Sequence, residues 1–375
     1  MRITLLEPYY TGSHRAWAEG YRAHSQHEIQ VLATEGRFWK WRMHGGALEL
    51  ASQIRGVPQD PDLLLVTDMV NLPSFLALTR PRFADIAVAA YFHENQLTYP
   101  LAPGADIDLT YGFMNFLTGL CSDWVFFNSH FHRAQFFDEL PQLLKHFPDY
   151  NHLETIRELD EKSSVLPVGC DLKRLDAARH TAPPRTSPPL ILWNQRWEYD
   201  KGPDTFFRAL SILADEGIPF RLALAGENFR QKPEEFIAAK DTFADRLVHY
   251  GFASAEECAH LLWQADVIVS TAIHEFFGIA VVEGIYCGGW PLLPNGLTYP
   301  ELVPPALHDE HLYDGFEDLL RRLRELLLNP RPPSPALSEA MAQFDWLALG
   351  PVYDRALSSV AEKRRADARR GNRSG

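Results

Sequence analysis

Short apolar runs recur along the chain with amphipathic stretches between them, and this alternation limits the fold more than any other feature. RITLLEP (2–8), HEIQVLAT (27–34), DLLLVTD (62–68), AVAAYFH (87–93), DWVFFNS (123–129) and SSVLPVG (163–169) read as strands. They are short, rich in Val, Ile, Leu and Phe, and bounded by polar residues, Pro or Gly. Near-continuous hydrophobicity is what a strand needs when both faces of a parallel sheet are covered. A helix-like stretch, SHRAWAEGYRAHS, follows the first strand. DAARHTAPPRTSPP (176–189) then breaks the pattern; it is proline-rich and has no apolar period, which marks a linker. Beyond it the alternation restarts. PPLILWNQR (188–196), FRLALAGE (220–227), RLVHYGF (246–252), DVIVSTA (266–272) and WPLLP (290–294) read as strands, with DTFFRALSILADEG, SAEECAHLLWQA and FFGIAVVEGIYC as helices. The expected fold class is α/β, with two doubly wound Rossmann-like domains facing a central cleft. The expected domains are 1–175, a linker at 176–189, and 190–343. FDWLALGPVYDRALSSVAEKRR (344–365), helix-like around a Gly-Pro break, is expected to cross back to the first domain, leaving a frayed basic tail at 366–375.

A length of 375 residues agrees with two domains. No apolar run reaches the roughly 18–20 residues that span a bilayer. MRITLLEPYY carries no h-region and reads as the first strand of a cytoplasmic protein. Cys121, Cys170, Cys258 and Cys287 lack CxxC spacing, which argues against a disulfide framework and a structural zinc; buried free thiols are expected. The formal net charge of −13 argues against a protein that coats nucleic acid non-specifically.

Several residues sit where ligands of doubly wound sheets bind, beyond the carboxyl ends of strands. Arg196 and Lys201 lie between a strand and a helix, and two cations beside a helix N-terminus suit a diphosphate. A solvated turn has equal weight on spacing alone. Gly226 ends a strand and permits close approach of a ligand or of another backbone. STAIHEFFGIAVVEG (270–284) places two carboxylates, Glu275 and Glu283, in an apolar stretch, and carboxylates are costly to bury without partners. A helix is expected to begin at Phe277, with the amides of Phe277 and Gly278 open to an anion. Glu283 would then lie two turns along, able to accept two vicinal hydroxyls of a ribose. The bland alternative is a helix cap and a buried ion pair. In the first half, Gly12 lies in the loop after the first strand, in a sequence that is not GxGxxG. His93, Glu94 and Asn95 follow another strand, and His93 is a candidate catalytic residue. NSHFHR (128–133) offers two histidines but no third metal ligand by spacing; capping by Asn128 or Ser129 is the simpler reading. In GRFWKWRMHGG (36–46), Arg37, Lys40 and Arg42 interleave with Phe38, Trp39 and Trp41. Such a pattern can stack bases and hold phosphates, or it can be a packed loop with a charged rim.

Glu275 and Glu283 form an E-x7-E signature, and with Arg196, Lys201, Gly12 and His93 the chain resembles the retaining GT-B glycosyltransferases of family 4. LLEPYYTGSHRAW, YFHENQLTYP, NSHFHR, PVGCDL, NQRWEYDKGPDTFF and HEFFGIAVVEG together resemble the tRNA-queuosine α-mannosyltransferase group, from residue 3 to about residue 304. The resemblance implies a nucleotide-sugar donor, GDP-mannose, a queuosine-containing tRNA as acceptor, and transfer with retention. By carry-over, Glu283 would hold ribose hydroxyls, Arg196 and Lys201 would neutralise the departing diphosphate with help from amides near Phe277 and Gly278, Glu275 would orient the donor sugar, and His93 would contact it. Arg37, Trp39, Lys40, Trp41, Arg42, Glu94 and Asn95 are the acceptor-side candidates. No metal, no other cofactor, no membrane span and no obligate protein partner are expected. A family-4 transferase with a glycolipid or polysaccharide acceptor, a non-catalytic binding module and a sugar-nucleotide epimerase are the alternatives.

Overall fold

The structure is a computed structural model that describes residues 1–100, 108–226 and 234–371. Glu227 and the last four residues of the expected basic tail lie outside the described residues. The chain divides into two compact units, Met1–Cys170 with Trp346–Gly375, and Asp171–Asp345.

The first unit runs β1 (Arg2–Tyr10), α1 (Gly12–His24), β2 (Glu28–Glu35), α2 (Trp39–Arg55), β3 (Leu63–Thr67), α3 (Leu72–Thr79), β4 (Ala87–Phe92), α4 (Leu109–Cys121), β5 (Trp124–Phe127), α5 (His130–Lys145), α6 (Thr155–Glu161) and β6 (Ser163–Val165). Its sheet has the order β2-β1-β3-β4-β5-β6, and each described pair is parallel. β3 and β4 are buried along their whole length, which is why their sequences are apolar without alternation. Phe75, Phe92, Phe127, Phe136 and Ile54 fill the layer between this sheet and its helices. Side-chain caps set helix starts: Ser129 accepts the His132 N–H at α5, and Asn71 accepts the Ser74 N–H at α3.

The second unit runs α7 (Lys173–Asp176), a 3-10 turn, β7 (Leu190–Trp193), a second 3-10 turn (Tyr199–Lys201), α8 (Pro203–Asp215), β8 (Arg221–Ala225), α9 (Glu234–Thr242), β9 (Leu247–Gly251), α10 (Ala255–Gln264), β10 (Val267–Val269), α11 (Ile279–Tyr286), β11 (Trp290–Pro294), α12 (Tyr299–Leu302), α13 (His308–His311), β12 (Leu312–Tyr313), α14 (Gly315–Leu328) and α15 (Pro335–Ala342). Its sheet, again parallel, has the order β12-β11-β10-β7-β8-β9. Trp193, Phe206, Phe207 and Phe236 form its aromatic core.

Three sequence expectations change. The division falls at Cys170/Asp171, ahead of 176–189. The amides of Leu172 and Lys173 both donate to Asp345 Oδ2 at 3.0 Å, and Trp263 Nε1 donates to the Leu175 carbonyl at 2.7 Å. Arg185 donates to the carbonyls of Trp263, Cys287 and Gly288, so the proline-rich stretch is strapped to the second unit and is not a free linker. Cys121 is exposed, at the end of α4, although all four cysteines are free thiols. The Gly-Pro pair does not interrupt the last helix: α16 (Trp346–Gly371) runs through Pro351 and makes the start of the basic tail helical.

α16 belongs to the first unit through a polar seam. Trp17 Nε1 donates to the Tyr353 hydroxyl (3.0 Å), which donates to the Pro167 carbonyl (2.7 Å). Asp354 accepts from the Tyr21 hydroxyl (3.0 Å), the Ser25 hydroxyl (2.6 Å) and the Gln26 N–H (2.8 Å). Asp354→Ala strands three donors, and water can recover only part of the loss. The expected destabilisation is about 2 kcal/mol in urea unfolding; a change near zero would mean that this seam does not hold α16.

Candidate active site

Each sheet has one place where the strand order reverses, and a crevice opens there outside the carboxyl ends. In the second unit the reversal lies between β7 and β10. The 3-10 turn after β7 delivers Lys201, and the loop after β10 delivers His274 and Glu275. Lys201 is buried, and its Nζ donates to Glu275 Oε2 (3.1 Å) and to the His274 carbonyl (3.2 Å), with Asp200 Oδ2 at 3.1 Å. Burial pulls the Lys201 pKa down, but the Glu275 and Asp200 carboxylates outweigh it and the net direction is up. The ammonium is thus a fixed, permanently charged donor.

The backbone around it is equally constrained. Gly202 has φ +63 and caps α8, and a Cβ there would run into the Thr271 carbonyl. Thr271 Oγ1 donates to the carbonyls of Lys201 (3.0 Å) and Gly202 (2.9 Å), which ties the two loops together. Gly278, φ +89, caps α11, so that helix begins at Ile279 and not at Phe277. The Phe277 N–H points at Glu275 Oε1 (3.4 Å), and the Gly278 carbonyl accepts from Val281 and Val282. Glu275 therefore lies before the helix, and only Glu283 is on it. The Glu283 carboxylate accepts from Arg174, just inside α7. Burial raises the Glu283 pKa, and Arg174 works against that rise. Arg196 is more exposed than Lys201 and pairs with Glu198 (3.2 Å). Gly226 follows β8, its N–H donating to the Gly251 carbonyl at 2.9 Å, and a Cβ there would run into the Gln195 carbonyl, so the close approach it permits is of another stretch of backbone.

In the first unit the reversal lies between β1 and β3. Gly12 opens α1, with nothing within 4 Å of where its Cβ would be. Close by, Glu7 Oε2 meets His14 Nδ1 at 2.9 Å, both buried. The His93 N–H donates to Asp68 Oδ1 (2.8 Å), and Asn128 Nδ2 donates to the His93 carbonyl (2.8 Å). Glu7, His14 and His93 carry ligand atoms within 4.8 Å of one another, but the Glu7–His14 contact reads as an ion pair. Glu94 accepts from Gln96 Nε2 (3.2 Å). Asn95 is buried, and its Oδ1 accepts from the Leu97 and Thr98 amides, so it shapes this turn. His132 is buried, with Nδ1 2.9 Å from Asn128 Oδ1.

The aromatic–basic stretch at 36–46 is mostly helix, not loop. Trp39 packs inward on Tyr111 at a ring separation of 5.0 Å, with Lys40 Nζ 5.6 Å above its ring. Phe38 (φ +54) and Trp41 point outward, 69% and 60% exposed. Trp41, Arg42, Thr34 and Gln53 line a surface groove of about 480 Å³. Arg42 Nε donates to the Glu35 carbonyl (2.8 Å), and Arg37 lies 3.8 Å from the Glu35 carboxylate.

Sequence reasoning missed Glu7, His14, Asp68, Asp200, His274 and Arg174. The readable signal was an acid closing an apolar run, as Asp68 closes DLLLVTD and Glu7 interrupts RITLLEP.

Residues 2–170 match the family model described as tRNA-queuosine alpha-mannosyltransferase N-terminal, and residues 176–343 match glycosyl transferases group 1. A curated tRNA-queuosine alpha-mannosyltransferase of Drosophila melanogaster is 32% identical over 341 residues, 88% of this chain and 88% of that one. The chain belongs to the tRNA-queuosine alpha-mannosyltransferase family. It is a glycosyltransferase, with the GT-B fold. A GDP-mannose-dependent alpha-(1-6)-phosphatidylinositol dimannoside mannosyltransferase of Mycobacterium tuberculosis is 33% identical over 145 residues, 37% of each chain. Sucrose-phosphate synthase from Thermosynechococcus elongatus superposes with a TM-score of 0.66 and 15% identity over 100% of both chains, a likeness of fold. Among the described residues, no helix is long and apolar enough to cross a membrane.

The electrostatics of the Lys201 cluster carry a pH signature. Burial and the neighbouring Lys201 push the His274 pKa down from 6.5 to about 4. Below pH 6.5 the unfolded chain takes up a proton that the folded chain refuses, so stability falls as pH drops from 6.5 towards 4. The expected loss through this residue is up to about 3 kcal/mol. Between pH 7 and pH 5, urea unfolding should show the wild type losing about 2 kcal/mol more than His274→Phe; parallel pH dependences would refute it.

Proposed function

We propose that this chain transfers mannose from GDP-mannose to queuosine in tRNA, with retention at the anomeric carbon. The observation that carries the reading is similarity to a queuosine mannosyltransferase over both units. The GDP-mannose dependence of the mycobacterial relative supports that donor. Lys201 and Arg196 neutralise the diphosphate as it leaves, in the place of a metal. Lys201 is suited to this because its neighbours already fix its charge and position, so little reorganisation accompanies charge development. Phe277 and Gly278 precede α11, next in the chain after Phe276 and Glu275, and Gly12, with nothing within 4 Å of where a Cβ would be, gives the donor room. Glu275, already aligned by Lys201, orients the sugar; Glu283 accepts the ribose hydroxyls, and Arg174 opposes the effect of burial on its carboxylate. His93 contacts the sugar near the reacting carbon.

On the acceptor side, Trp41 and Phe38 offer open aromatic faces, and Arg37, Lys40 and Arg42 supply charge, a combination suited to unpaired bases of an RNA loop. Trp39 anchors the start of α2 on Tyr111, and Glu94 and Asn95 shape the turn that carries His93. The protein acts in the cytoplasm, where its tRNA and nucleotide-sugar substrates are found together.

The decisive assay incubates the protein with queuosine-containing tRNA and GDP-mannose, each UDP-sugar, or no donor, and reads nucleoside masses. A hexose increment on queuosine with GDP-mannose, lost in Glu275→Ala and Lys201→Ala, is expected. Donor binding with no increment would remove tRNA as the acceptor. Trp41→Ala should weaken tRNA binding by about 1–3 kcal/mol, the range for one stacked base, and leave the affinity for GDP unchanged in calorimetry. Unchanged tRNA binding would clear α2 of an acceptor role.

A further inference from the structure

His93 has an environment that nothing in the family match assigns. Its ring is walled by Trp17 (4.6 Å between centroids), Tyr91 (4.8 Å) and His14 (4.3 Å, planes 43° apart). Asp68 and Asn128 grip its backbone on both sides. His93 Nε2 and Asp68 Oδ2 are buried and have no hydrogen-bond partner among the described residues. Glu7 is fully committed: Oε2 meets His14 Nδ1, and Oε1 accepts the Tyr9 N–H at 2.7 Å.

We propose that Glu7 and His14 are a positioning pair for His93: the carboxylate holds His14 as a fixed cation against the His93 ring, and that cation adds to burial in keeping His93 a neutral imidazole. Asp68 fixes where the ring stands. The chemical use follows from the sugar's charge. A glycosyl transition state gains positive character at the anomeric carbon, and a neighbouring imidazolium would oppose it, whereas a neutral ring can hydrogen-bond a sugar hydroxyl without penalty. The proposal rests on the assignment of His93 to the donor sugar.

The groups facing this cluster are Glu7 and Tyr9 from β1, His14 from α1, Asp68 after β3, Tyr91 and Glu94 at the end of β4, and His132 from α5. Burial lowers the His14 pKa, but Glu7, helped by Asp68 and Glu94, outweighs it and brings it to about 9. Burial raises Asp68, with His14 opposing. Burial, then His14 and His132, drives His93 well below 6.5. The directions agree with the geometry: one imidazole is held charged so that the next stays neutral.

The test is a nitrogen-15 histidine titration of the full chain from pH 5 to 9. In the wild type, His14 should stay protonated through neutrality and His93 should stay neutral throughout. In Glu7→Gln, His14 should lose its proton near neutrality and regain it by pH 5, so His93 stays neutral there. His14→Gln, which removes the charge at every pH, should bring the His93 titration up into this range. That variant should acquire an acid limb in kcat, at least tenfold down by pH 5, with the KM for donor little changed. A His14 that keeps its proton above neutrality in folded Glu7→Gln, or a His93 that stays neutral down to pH 5 in folded His14→Gln, overturns the proposal. So does stoichiometric zinc binding by the wild type that His14→Gln abolishes, since that would make the cluster a metal site. A moved His93 titration with no acid limb upholds the pair and instead withdraws His93 from the donor sugar.

Discussion

Every described strand in both sheets is parallel to its neighbours, so each connection must pass over a sheet face and return to the same starting edge. That constraint places all the carboxyl ends along one rim, where the backbone leaves the sheet and polar side chains can reach a ligand. The chemistry-bearing residues are not spread over the chain by accident. Lys201, Glu275, Asp68, His93 and Gly12 each follow the last residue of a strand, or lie in the turn beyond it. Where the strand order reverses, two such turns diverge and leave space. In each unit the densest cluster of buried charge lies around that point.

Burying charge there sets the second constraint. A lone buried ammonium or carboxylate is expensive, and each cluster answers with a partner of opposite sign: Lys201 with Glu275 and Asp200, Glu283 with Arg174, His14 with Glu7. Such pairs add little to stability over apolar residues of the same size. They do fix charge before a ligand arrives. Lys201, held on several sides, has little freedom left to lose, and Glu275 gains its orientation from the same contact.

The strands were legible because strands buried on both faces have little choice of residue. RITLLEP, DLLLVTD and AVAAYFH could hardly have been anything else, and eleven of the twelve strands among the described residues fall in runs readable from sequence. β12 escaped because Leu312 and Tyr313 are too few to show a period. α2 escaped for a different reason: Gly45 and Gly46 lower helix propensity, but Gly45 lies under the Trp41 ring and Gly46 under Pro8, so tertiary packing uses the missing side chains. The E-x7-E spacing was legible, but the helical phase assigned to it was not. Gly278 delays the helix, and a left-handed glycine leaves no mark on hydrophobic periodicity.

The least legible part is the set of residues that act on other residues. Glu7 and His14 are seven apart and meet only because α1 turns back over the end of β1; Asp68 and His93 meet only because β3 and β4 are neighbours. A motif search finds groups that touch substrate, since their spacing along one loop is constrained by the ligand. It does not find the groups that set their charge, since those are brought in from neighbouring strands by sheet order alone. Sheet order therefore does more than gather ligand contacts. It decides which ionisable groups are neighbours, and thereby which protonation states the contacting residues can hold.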